Sequence, residues 1–240
     1  MKKQILLLSC FSLLLATCQA QTAGQIVDKY VLAMGGLEKI SSIKSIIAHF
    51  ALKEISSETP GQLAIVEGRA YKVELSVSGR KIIECYTKNE GWVLNSLWYT
   101  GLKKLSDSEN KLMKDKLYIH PLALYKQRGG TLKLVGKEDD NYIILYTNPD
   151  GIEARYLIDS KTYYIHKETR YVKKDGVLTE LSTTIFEDYR KTPEGYCVAY
   201  TQHISGVTGP PLLTFVVKNI VFNNSVNNNI FDYGNQEADF

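Results

Sequence analysis

The chain has 240 residues, 44% hydrophobic and 23% charged, with 29 Lys+Arg against 26 Asp+Glu. Such a composition excludes disorder and collagen-like repetition. With Lys2 and Lys3 in a leader, the remaining charge is near zero, which excludes a protein built mainly to neutralise phosphates, so no nucleic-acid partner is expected.

Lys2 and Lys3 precede an apolar run from Ile5 to Ala16 and the small-residue stretch Ala16-Thr17-Cys18-Gln19-Ala20. This is the pattern of a secretory signal, so residues 1–20 are read as a signal peptide and 21–240 as one domain. The run is too short to cross a ~30 Å hydrocarbon layer comfortably. Leu15-Ala16-Thr17-Cys18 also reads as a lipobox that would leave Cys18 acylated. Thr17 is larger than the residue usual there, so the soluble secreted form is favoured. Cys85 and Cys197 then face a compartment that permits a disulfide, although two small buried side chains are the simpler reading. The histidines His49, His120, His166 and His203 stand singly, and no metal-ligand spacing or cofactor motif is present.

Helical spacing of Ile26, Val27, Tyr30, Val31 and Met34 predicts a helix over Ala23–Met34, stopped by Gly35-Gly36. A second apolar stripe runs through Leu37, Ile40 and Ile43. Strands follow at Ser45–Ile55, Gln62–Gly68, Tyr71–Val77, Lys81–Thr87 and Gly91–Leu97, separated by hairpin-sized turns. Ser106–Gln127 breaks the pattern. Ser106 and Glu109 have capping-box spacing, and the apolar residues before and after Pro121 predict two short helices. Strands resume at Leu132–Lys137, Asn141–Thr147, Ile152–Asp159, Thr162–Lys173, Val177–Arg190, Tyr196–Ser205 and Leu212–Phe222. About a dozen strands with few helices predict a mainly β fold: a curved sheet, barrel or sandwich. The 16 Tyr against 7 Phe and 2 Trp suit its half-buried strands.

Alternation assigns faces to several strands. Ile46, Ala48, Phe50 and Leu52 share one; Tyr71, Val73, Leu75 and Val77 oppose Lys72, Glu74 and Ser76; Tyr142, Ile144 and Tyr146 oppose Ile143 and Leu145. Nothing in the chain names an enzyme. It has no Gly-x-Ser-x-Gly elbow, no His-Glu-x-x-His and no phosphate-cradling glycine loop. Asp139-Asp140 reads as a turn, Glu187-Asp188 as a strand edge and His120 as a helix-junction residue.

The opening Ile26-Val27-Asp28-Lys29-Tyr30-Val31-Leu32-Ala33-Met34-Gly35-Gly36-Leu37-Glu38-Lys39-Ile40, with Ile43-Lys44-Ser45-Ile46 after it, resembles secreted LolA/LolB-like outer-membrane lipoprotein-sorting proteins of the Bacteroidetes type. Glu90-Gly91-Trp92-Val93, Pro121-Leu122-Ala123-Leu124-Tyr125, Leu134-Val135-Gly136-Lys137-Glu138, Tyr156-Leu157-Ile158-Asp159, Phe186-Glu187-Asp188-Tyr189-Arg190 and the Asn223–Phe231 segment are similar as well. The resemblance implies an incomplete, strongly curved antiparallel barrel with helices over its open side. It further implies a periplasmic carrier that works without a cofactor and holds lipid or lipoprotein acyl chains in an apolar groove, in contact with envelope membrane proteins. On that model the lining residues are Phe50, Leu52, Tyr71, Val73, Leu75, Tyr86, Trp92, Leu94, Tyr142, Ile144 and Tyr146, and the lid residues are Leu112, Met113, Leu117 and Leu124. The rival expectation is a non-enzymatic envelope sensor or protein-interaction module on the same scaffold.

Overall fold

The computed structural model describes residues 21–53, 56–77, 79–95, 100–174, 176–206 and 213–233. The signal-peptide and lipobox readings lie outside the described residues, as do the ends of the strands predicted to reach Ile55 and Leu97.

Among the described residues, thirteen strands make one sheet in which every neighbouring pair is antiparallel. The first six are β1 Ser45–Lys53, β2 Glu58–Val66, β3 Ala70–Val77, β4 Arg80–Thr87, β5 Gly91–Leu94 and β6 Leu102–Lys104. The other seven are β7 Thr131–Glu138, β8 Asn141–Thr147, β9 Glu153–Asp159, β10 Ile165–Lys174, β11 Val177–Lys191, β12 Cys197–Gly206 and β13 Leu213–Phe222. Their spatial order is β6-β5-β4-β3-β2-β1-β13-β12-β11-β10-β9-β8-β7. The chain therefore starts mid-sheet, meanders to one edge, crosses to the opposite edge, and meanders back until β13 pairs with β1, from Ile46↔Phe222 to Lys53↔Thr214. β6 and β7 are not paired to each other, so the sheet is an open, curved half-barrel rather than a closed one.

This order dictates a strap. The segment between β6 and β7 is the connection between the two edges, and it runs over the concave face, where residues 115–122 meet the inward side chains of the sheet. It begins with helix α3 Asp107–Met113. The predicted capping box is present: the Ser106 hydroxyl accepts from the Glu109 backbone N–H, and the Glu109 carboxylate accepts from the Ser106 backbone N–H. A 3-10 turn, Lys114–Leu117, follows. The second predicted helix, after Pro121, is instead a run of turns from Pro121 to Gly129, because its backbone bonds close separate turns of different length, such as Tyr125 N–H to the Leu122 carbonyl and Gly130 N–H to the Tyr125 carbonyl, rather than a repeating helical ladder. β6 escaped sequence reading because three residues are too few to show alternation.

Helices α1 Ala23–Ala33 and α2 Leu37–Ser42 precede β1. Gly35 ends α1 with φ 119°, and a Cβ there would meet the Gly195 carbonyl at 2.8 Å. The apolar stripe of α1 is buried: Ile26 and Val27 are inaccessible, and they pack with Leu122, Ile144, Tyr146, Tyr156 and Ile158. The β7–β8 end of the concavity is thus filled. On the convex face, the C-terminal segment lays Val226, Ile230, Phe231 and Tyr233 over Ala64, Ile83, Cys85 and Trp92. Cys85 and Cys197 are both free and buried, in different clusters.

Candidate functional site

Where α1 does not reach, the concave face stays hollow. Two adjoining cavities of about 430 and 420 Å3 share Ala48, Leu63, Tyr71, Lys116, Gln202, Ile204 and Val217, which makes them one trough, in the size range of small-ligand sites. The smaller lobe is walled by Phe50, Leu52, Val73, Leu75, Ile82, Leu213 and Phe215, all placed inward by strand alternation on β1, β3, β4 and β13. Gly61 pairs with both Phe50 and Leu75, and the Phe50 ring lies across the space a Cβ would occupy there. The larger lobe runs beneath the strap and beside Tyr30 of α1 and its capping residue Met34, and its wall is mixed.

Ion pairs pin the strap over the trough. Lys116 reaches in and pairs with Glu84 at 3.1 Å, its Nζ 5.3 Å and 5.2 Å from the ring centres of Tyr71 and Tyr86. The Lys116 ammonium holds the Glu84 carboxyl below the usual range, against burial. Burial is the largest influence on Lys116 and lowers it, but Glu84, Tyr86 and Tyr71 together outweigh it and its pKa is raised. Further along, Asp115 accepts from Asn148 at 3.1 Å and lies 3.7 Å from Arg170, whose guanidinium donates to the Leu112 carbonyl at 2.9 Å. At the β2–β3 turn, Glu67 pairs with Arg128 and accepts from the Ile119 backbone N–H at 2.9 Å, while Arg128 stacks 3.9 Å over Tyr118. His120, half-buried under this network, has its pKa pushed down to about 4, by burial first and by Arg128 second.

The expected lining residues separate into three groups. Phe50, Leu52, Tyr71, Val73 and Leu75 come together around the trough. Tyr142, Ile144 and Tyr146 share the concave face but do not line either lobe. Ile144 and Tyr146 are sealed beneath α1 and Leu122, at 0% and 1% exposure, and Tyr142 stacks on Tyr163 and donates to Gln21. Tyr86 faces inward beyond the trough, against Tyr71, and donates to Glu84 at 3.1 Å. Trp92 and Leu94 point the other way. They pair with Cys85 and Ile83, which places them on the convex face, where the Trp92 indole donates to the Phe231 carbonyl at 2.9 Å. Val93, paired with Glu84, is the β5 residue on the inner side, so the expected face of β5 is corrected by one residue.

The expected lid residues all belong to the strap, yet none lines the trough. Leu117 is buried and its carbonyl accepts from the Gly68 N–H at 2.7 Å; Leu124 packs on the α1 cluster; Leu112 and Met113 are half-buried in α3. Lys116, Tyr118, Ile119, His120 and Leu122 face the cavity instead. Sequence reading also missed Leu63, Phe215 and Val217. Phe215 and Val217 alternate with Val216, but β13 is apolar on both faces, which leaves alternation silent about direction. Lys116, Glu84, Glu168 and Arg170 carry no sequence signal, because they become neighbours only through the strap's crossing.

Among the described residues no group of His, Cys, Asp and Glu is placed to hold a metal, and no helix is long and apolar enough to cross a membrane. Asp139-Asp140 forms the β7–β8 turn, and Asp188 is exposed beside Arg190. His203 contacts Thr214 at 2.9 Å and Glu187 at 3.2 Å, but on the convex side, and neither lobe includes it.

An open antiparallel half-barrel with a strap across an apolar hollow defines a LolA-like fold. Known structures agree. A LolA superfamily protein from Nitrosomonas europaea superposes with a TM-score of 0.55 at 14% identity, over 89% of this chain and 98% of that one. A putative outer membrane lipoprotein-sorting protein domain from Vibrio parahaemolyticus gives 0.51 at 17% identity, over 88% and 96%. No protein-family model matches the sequence, and no curated protein matches it significantly.

Proposed function

We propose that the protein is a secreted carrier of the LolA/LolB lipoprotein-sorting type, holding acyl chains of a lipid or lipoprotein in the strapped trough. The supporting observation is the apolar lobe itself: Phe50, Leu52, Tyr71, Val73 and Leu75, joined by Leu63, Phe215 and Val217, border a cavity, and the edge-to-face contact of Phe50 with Phe215 at 5.3 Å leaves it open. Each methylene moved there from water is worth roughly 0.8 kcal/mol, so a long chain gains on the order of 10 kcal/mol before association costs. The strap is anchored at Leu122 in the α1 cluster, and over the trough it is tied by ion pairs that can be traded against ligand entry. On this reading residues 1–20 are a signal peptide, residues 21–240 are one domain, and the site of action is the periplasm. The structural neighbours' LolA-superfamily and lipoprotein-sorting names point the same way.

Native mass spectrometry of protein isolated from its own envelope tests this. Co-purifying acylated cargo is expected. A consistently empty protein that still binds envelope proteins would replace the carrier reading with an interaction module. The mass of the mature N-terminus in the same spectra reports whether the chain begins at Gln21 or at an acylated Cys18.

A further inference from the structure

The trough has an apolar wall on β1, β3 and β13 and a mixed wall on β10–β12, in which three polar side chains are unpartnered among the described residues. Registration across β10, β11 and β12 sets Ser182 beside Arg170, Thr184 beside Glu168 and Ile204, and Gln202 beside Phe186 and Phe215. Ser182, Thr184 and Gln202 all face the cavity half-buried, and among the described residues their side chains make no hydrogen bond. The charged groups around them are already matched: Lys116 with Glu84, and Arg170 with Asp115. Glu168, hydrogen-bonded by Tyr156 at 3.3 Å, is held toward its protonated form by burial, and His120 is held neutral. Among the described residues, no cation lining the trough lacks a carboxylate.

Two consequences follow for anything that fills the space. A hydrocarbon chain alone would strip water from three polar side chains and give them nothing in return, which is unfavourable. A free carboxylate would lose its hydration and find only cations whose charge Glu84 and Asp115 already neutralise. A neutral carbonyl linkage avoids both penalties, because hydroxyl and amide N–H groups can donate to it.

Building on the acyl-carrier reading, we propose that the trough selects acyl chains bearing a neutral ester or amide linkage, read by Gln202, Thr184 and Ser182, over free fatty-acid anions. The chain would lie along β1, β3 and β13 and the linkage would face β11 and β12, which orients the cargo as well as retaining it.

The test is displacement of N-phenyl-1-naphthylamine from the full chain at neutral pH by 1-monopalmitoylglycerol and by palmitate, which have the same acyl length. Monopalmitoylglycerol is expected to displace the dye at least tenfold more effectively. Gln202→Leu combined with Thr184→Val should weaken the glyceride about tenfold and leave palmitate unchanged. Palmitate matching the glyceride on the unaltered protein, or both ligands losing equally in the variant, would overturn the proposal. Should the double variant not fold, Ser182→Ala is expected to reduce glyceride binding about threefold with palmitate unaffected, and no change there is equally fatal. If neither lipid displaces the dye, the carrier reading itself falls; if both do so without preference, only the linkage selectivity falls.

Discussion

Leu75→Asp and Ile144→Asp put the same carboxylate on two concave-face strands with opposite expected outcomes. Ile144 has 0% exposure beneath α1 and Leu122. Removing its side chain costs about 2–5 kcal/mol, and a buried unpaired carboxylate adds several more. Against a typical total stability of about 5–15 kcal/mol, that variant should be largely unfolded at room temperature. Leu75 is half-buried and borders the hollow, where an Asp can stay hydrated while the trough is empty. The expected loss there is about 1 kcal/mol, within the ordinary range of single substitutions. Acyl binding suffers more, because the chain must dehydrate that carboxylate and gives up two or three methylene contacts at ~0.8 kcal/mol each. A weakening of at least about a hundredfold, near 2.7 kcal/mol, is expected. Urea denaturation gives the stabilities and N-phenyl-1-naphthylamine fluorescence gives the binding. If Leu75→Asp unfolds as Ile144→Asp does, or binds the dye as the parent does, the distinction between trough wall and core is wrong.

Lys116→Met leaves Glu84 unpaired beneath the strap; because the two side chains keep 30% and 24% exposure, the expected loss is about 1–3 kcal/mol, below that for a fully buried pair. Faster amide exchange through residues 114–122, largely reversed on adding Glu84→Gln, is the expected signature, and unchanged exchange would show that the pair does not hold the strap. His120 gives the pH dependence: its folded pKa of about 4 lies below the ordinary ~6.5, so its contribution is fully present above pH 6.5 and is lost as pH falls towards 4, by about 2–3 kcal/mol. Glu84, held low by Lys116, loses its contribution only below the usual carboxylate range, whereas raised Glu168 runs the other way and destabilises as pH rises through its folded pKa. Comparing urea midpoints at pH 7 and pH 5 for the parent and His120→Asn isolates the histidine; an equal pH effect in both would contradict its burial as a neutral ring.

Local pattern made much of the architecture legible. Turn residues and alternation located twelve of the strands, helical spacing located α1, and the Ser106–Glu109 box located α3, because each of these depends on neighbours a few residues away. The inward face of β1 and β3 could be read for the same reason: Leu75 and Phe50 alternate with polar or small residues that mark the opposite side. Long-range placement decided the rest. Ile144 and Leu75 both lie on the concave face, yet α1 covers one and leaves the other beside a hollow, a difference set by where the helix docks. Trp92 looked inward until pairing with Cys85 and the returning C-terminal segment fixed it outward. The strap's grip through Lys116, Asp115 and Arg128 exists only because the chain must cross from one sheet edge to the other, bringing charges together that lie far apart in sequence. Periodicity records which side of a strand is apolar; what that side meets, core or cavity, is settled by the packing of segments remote along the chain.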